Sequence, residues 1–167
     1  MMGESFQERF NRKYQERLER TRREFAQRNR LFEVYKDKVR QLYELLEKKV
    51  NGTPIETERV PLELERRLSI FESRKEPFEI LVLRLQEHQI RFVPEGMNYQ
   101  TGAMSLRIEH NNPREQPQTL WVHLRTIKRD ETESGEVLAW MIKIGYRNYS
   151  QLTEEIIERL LESVFLS

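Results

Sequence analysis

From Glu4 to Val50 the chain contains neither glycine nor proline, and apolar residues return along it at helical spacing. Leu18, Phe25, Phe32, Val39 and Leu46 repeat every seven residues, and Tyr14, Tyr35 and Leu42 join them on the second seam, so eight of twelve seam positions are apolar. Asn51-Gly52 and then Pro54 supply the stop. At 1.5 Å per residue such a helix reaches roughly 70 Å, more than twice the ~30 Å diameter of a body of this size, so part of it must project. Leu31, Val34, Tyr43 and Leu45 widen the stripe in its second half, whereas only Phe6 and Phe10 do so in the first. Residues 1–30 are therefore expected to project, and 31–167 to form one α+β domain.

Downstream the periodicity changes. Residues 51–76 read as a charged connector with a short helix beginning near Pro61 and carrying Leu64, Leu68 and Phe71. Pro77–His88 fits a helical face through Phe78, Leu81, Val82 and Leu85, or a buried strand through Ile80–Leu83; Pro77 suits a first helical turn, so helix is preferred. A strand is expected at Gln89–Pro94, and alternation predicts three more at Ala103–His110, Gln118–Lys128 and Glu136–Tyr146, joined by loops at Asn111–Pro117 and Arg129–Gly135.

Symmetric closure of these hairpins sets Leu106 opposite Val122 and Val122 opposite Ile142. One face then collects Met104, Leu106, Ile108, Leu120, Val122, Leu124, Leu138, Trp140, Ile142 and Ile144, and a one-residue slip would mix the faces. After Ser150, Leu152, Ile156, Ile157, Leu160, Leu161, Val164 and Phe165 form the stripe of a terminal helix able to cover that face. The predicted architecture is α+β: a four-stranded antiparallel meander with helices packed on one face, and a long projecting N-terminal helix.

Composition narrows the chemistry. Lys plus Arg (29) and Asp plus Glu (28) nearly cancel, so any polarity of charge is local, and residues 1–30 hold such a pole with nine Arg/Lys against five Glu. The absence of cysteine removes disulfides, thiolate metal sites and thiol nucleophiles. The longest apolar run, Val137–Ile142, is far short of the ~20 residues of a membrane span, and no apolar segment opens the chain, so the cytoplasm is the default compartment. Only two Asp and three His are present. His110 and His123 fall about 16 Å apart in the proposed pairing, too far to share a metal ion. The six glycines form no phosphate-cradling loop, and no serine sits in a nucleophile elbow. No catalytic residue, metal site or cofactor is assigned.

Two surfaces remain. The polar sheet face places Arg107, Trp121 and Lys143 in one row and His123 in the next, with Arg125 beyond. Cations flanking an indole can hold a nucleobase and a phosphate, although cross-strand cation–aromatic neighbours also stabilise a solvated face unaided. The N-terminal helix offers Tyr14, Leu18, Phe25 and Phe32 to an oligomer contact, while Glu16–Arg20 and Glu19–Arg23 can neutralise much of its charge internally. The leading expectation is a non-enzymatic interaction or scaffold protein that pairs with its own copy or another helical partner and makes no membrane contact. A nucleic-acid-binding accessory protein using the sheet face and basic helix comes second, and an enzyme of unknown reaction third.

Overall fold

The computed structural model describes residues 3–127 and 137–167. Helix α1 runs Phe6–Val50, 45 residues or about 67 Å. Ser5 opens it, its hydroxyl accepting from the Glu8 amide at 3.1 Å. Seven strands follow in a sequential antiparallel meander: β1 Glu56–Arg67, β2 Ser73–Leu85, β3 His88–Met97, β4 Met104–His110, β5 Thr119–Ile127, β6 Val137–Lys143 and β7 Tyr149–Gln151. Helix α2, Glu154–Leu166, closes the chain, capped by the Thr153 hydroxyl. No helix among the described residues is long and apolar enough to cross a membrane.

The α+β class and the long N-terminal helix are as expected, but the sheet has seven strands rather than four. Both short helices proposed between residues 51 and 88 are strands. Val60, Leu62 and Leu64 alternate along β1, and β1 pairs with β2 in unbroken register from Glu56↔Arg84 to Arg67↔Ser73. Neither proline forbids this. Pro61 lies on the edge strand, and Pro77 lies where β2 has β1 on one side only, since β2–β3 pairing is confined to Leu81–Leu85. The third additional strand, β7, is three residues long, too short to show any period.

The predicted register holds across the centre: Leu106 faces Val122, and Val122 faces Ile142. Trp140 is accordingly buried at 9% exposure while Trp121, on the opposite face, is 43% exposed. Ile144, expected on the apolar face, lies beyond the end of β6 and is exposed. The loop expected at Arg129–Gly135 falls outside the described residues.

Both helices lie on one face of the sheet. Phe32, Tyr35, Val39, Leu42, Tyr43, Leu46 and Val50 of α1 and Ile157, Leu161, Val164 and Phe165 of α2 form a single core with the inward residues of β2–β6. Two tyrosines bind α1 to the sheet backbone. The Tyr35 hydroxyl donates to the Ser105 carbonyl at 2.7 Å and accepts from the Gly96 amide at 3.1 Å, at the bulge where Gly96 takes a φ of 80°. The Tyr43 hydroxyl shares its proton between the Glu79 and Phe92 carbonyls at 2.7 and 2.9 Å, just where β2 and β3 part. At the other end, buried Asn112 donates to the Val164 carbonyl at 2.8 Å, satisfying a carbonyl of α2's last turn.

Candidate functional site

The outward face of β4–β7 carries the residues singled out from sequence. Along β5 the side chains of Trp121, His123 and Arg125 alternate onto this face, and pairing sets Arg107 opposite Trp121, and Ser105 and Met141 on either side of His123. Lys143 ends β6 and pairs with Tyr149 of β7. Tyr149 is the residue that sequence reasoning missed, because a three-residue strand just before a helix gives no periodic signal. It is central to the face. Its ring lies edge-on to His123 at 5.8 Å, and the Arg125 guanidinium carbon stands 4.0 Å over it.

Electrostatically the face divides in two. Arg107, 5.9 Å from the Trp121 ring, is bound to Glu95 at 2.6 Å and Glu109 at 3.1 Å, and Glu109 also holds Arg91 at 2.8 Å. That half is neutralised by its own carboxylates. Toward β7 the balance differs: Arg125 and Lys143 are exposed and make no ion pair among the described residues. Burial, followed by the charges of Lys143 and Arg125, pushes the half-buried His123 below the ordinary histidine range. An open cleft of about 460 Å³ lies here, lined by Thr101–Met104, by His123–Thr126 of β5 and by Tyr149.

The second surface belongs to α1. Tyr14 is 50% exposed, and Phe6 and Phe10 before it are 66% and 56% exposed. Leu18 and Phe25 are half-buried and line a groove of about 320 Å³ whose other wall is the β1–β2 turn, Leu68–Phe71. Ile70 and Phe71 on that turn are exposed; they were hidden from sequence reasoning by the assignment of the turn to a helix. Phe32 departs from its expected place at a subunit contact. It is fully buried in its own chain, edge-on to Phe78 and beneath the Arg66 guanidinium at 4.8 Å, because the hairpin that was not foreseen covers it.

Charge on α1 sorts by side. Arg12 pairs with Glu4 and Glu16, and Arg23 with Glu19. At 100° per residue Arg12, Glu16, Glu19 and Arg23 lie on the far side of the helix from the apolar stripe, and Glu4 precedes the helix. Glu8, Arg9, Arg22 and Glu24 make no ion pair among the described residues, and of these Arg22 and Glu24 lie nearer the stripe.

The three histidines are dispersed. His110 accepts from the Asn112 amide and donates to the Pro117 carbonyl at 3.1 Å, a structural role at the end of β4. His88 stands beside Glu87, and among the described residues no three His, Asp or Glu side chains are grouped as metal ligands would be. Compared with protein-family models, curated proteins and solved structures, the chain matches none.

Proposed function

We propose that this is a non-enzymatic interaction protein whose N-terminal helix joins two copies of the chain. One observation carries the reading: the apolar face of α1 that packs on the body continues past it, through Phe25, Leu18, Tyr14, Phe10 and Phe6, with progressively less of its own chain over it. Where the helix leaves the body, the groove beside Phe25 and Phe71 is open. The free end of a second copy fits that gap. Antiparallel pairing about a two-fold axis, with Phe6 of one copy beside Phe25 of the other, brings each free end over its partner's groove, and the contact repeats by symmetry.

Lys13, Arg17 and Arg20 beside the stripe oppose association, and their long stems must direct the charged heads to water. Apolar contact therefore supplies the affinity.

Sedimentation or light scattering tests the proposal. The wild type is expected at twice the chain mass of 20.4 kDa, and Phe6→Glu with Phe10→Glu at the chain mass. Both residues lie outside the core cluster, so the thermal midpoint of the body should not move. A wild type that stays monomeric at about 100 μM would refute self-association.

A further inference from the structure

The described lining of the cleft on the outer face is cationic and aromatic. In a chain with 26 glutamates, no carboxylate lines it among the described residues, although Arg125 and His123 both do. The neighbouring half of the same face recruits Glu95 and Glu109 for Arg107. Arg125 instead rests on the π face of Tyr149, and its guanidinium makes no ion pair among the described residues that would keep it from an anion. Lys143, paired with Tyr149 across β6 and β7, adds a second exposed cation.

Aromatic surface accompanies the charge. Tyr149 borders the cleft, and Trp121 is exposed two residues before His123 on β5, about 7 Å along the strand. Two aromatic side chains beside these cations are more than an inorganic anion requires. They match a ligand that alternates flat bases with phosphates. The cleft's volume, about 460 Å³, lies in the range of sites that take small organic ligands, roughly 300–1,000 Å³.

We propose that the β5–β7 end of the outer face binds single-stranded nucleic acid, stacking bases on Trp121 and on the Arg125 guanidinium that Tyr149 backs, and holding the phosphates with Arg125 and Lys143. The side chains act by shape, stacking and charge, so binding is tolerant of sequence. Arg107 takes little part, because its carboxylate partners already satisfy it. The site lies on the face opposite the helices and does not depend on whether α1 pairs.

The test is fluorescence anisotropy of a labelled 12-nucleotide deoxythymidine strand with the full chain, between 50 and 200 mM salt, with thymidine monophosphate as competitor. Trp121→Ala and Tyr149→Ala should each weaken binding about five- to 150-fold, while Tyr149→Phe retains it. Arg125→Gln with Lys143→Gln should lower the slope of log affinity against log salt by about 1.4, at ~0.7 per phosphate released from a single strand. Arg107→Gln should leave that slope unchanged. These exposed polar substitutions also cover the case in which Tyr149→Ala unfolds the edge strand. Competition by the mononucleotide at the strand's own affinity would show that one nucleotide fills the site, supporting the same base-and-phosphate chemistry. The proposal is overturned if the wild type does not bind at 50 mM salt, or if binding survives the face substitutions and is lost with Arg20→Gln and Arg23→Gln on α1. Phe6→Glu with Phe10→Glu should not change affinity for this short strand, which separates failure of this site from failure of the dimer.

Discussion

Arg66 offers the sharpest test of how the long helix is fixed to the sheet. Its side chain is only 6% exposed, and it binds Glu76, 7% exposed, at 3.3 Å. It also binds Glu33 and the Asn29 side chain and carbonyl, while its guanidinium covers Phe32. One buried cation thus joins β1 and β2 to the part of α1 that leaves the body. Removing one member of a buried ion pair costs roughly 3–5 kcal/mol when its partner is left bare. Here Glu76 keeps Arg74 at 2.7 Å and Lys36 at 3.3 Å, so Arg66→Met should cost near the lower end, about 3 kcal/mol. For a chain of this length that is a fall of about 6–12 °C in thermal midpoint. Urea denaturation followed by circular dichroism measures it, with an unchanged m-value required for the comparison. Combining Arg66→Met with Glu76→Leu should cost clearly less than the two single changes together, because the double variant leaves no stranded charge. A loss below about 1 kcal/mol for Arg66→Met, or strict additivity, would refute the account. The same cluster gives a pH dependence. Burial alone would raise the Glu76 carboxyl, but the hydrogen bonds and charges of Arg74 and Lys36 outweigh it and hold the group below its ordinary value of 4.5. A depressed carboxylate stabilises the fold at pH above its unfolded value and loses that contribution as pH falls through the folded one. Stability should therefore decline below about pH 4.5, and less steeply in Glu76→Gln.

Two further outcomes follow from the dimer contact and from the second anchor of α1. Gel filtration of Leu18→Glu with Phe25→Glu should give the chain mass, since this pair lines the receiving groove, and a retained dimer would place the contact elsewhere. Tyr35→Phe should cost about 1–3 kcal/mol, because it leaves the buried Gly96 amide and the Ser105 carbonyl short of a partner; hydrogen exchange at Gly96 should quicken, and an unchanged rate would show that the amide finds another acceptor.

What the sequence disclosed follows the strength of each periodic signal. Forty-five residues of uninterrupted helical spacing left little choice for α1, and the strict alternation about Leu106, Val122 and Ile142 admitted one register. The β1–β2 hairpin was misread because Leu64, Leu68 and Phe71 happen to repeat at helical intervals, while both prolines are tolerated because each has a paired strand on one side only, which no local pattern discloses. The candidate face was partly legible for the same reason. Alternation on β5 sufficed to group Trp121, His123 and Arg125, but Tyr149 reaches them only through a three-residue strand. Nor could the sequence say which cations were already matched. Arg107 and Arg125 look alike along the chain, and the difference lies in Glu95, which a bulge in β3 carries beside Arg107.

The two proposed surfaces lie on opposite faces of one sheet, and this makes their combination measurable. Pairing through α1 occupies the helix side, so each copy keeps its β5–β7 face free, and a dimer presents two such faces to one polynucleotide. A short strand can engage only one of them. A strand long enough to reach both converts the second contact into an intramolecular one, at an effective concentration on the order of 1 mM for a flexible connection. With a single-face dissociation constant of about 10 μM, the gain is then roughly 100-fold. Affinity for a 60-nucleotide strand should accordingly exceed that for the 12-nucleotide strand by far more than the number of overlapping sites accounts for. In Phe6→Glu with Phe10→Glu, whose outer face is untouched, the excess should disappear while the short-strand affinity stays the same. An equal ratio of long- to short-strand affinity in both proteins would mean that the two faces act separately even when the chains are paired. A ratio that fell together with short-strand affinity would mean instead that the free end of α1 itself touches the nucleic acid.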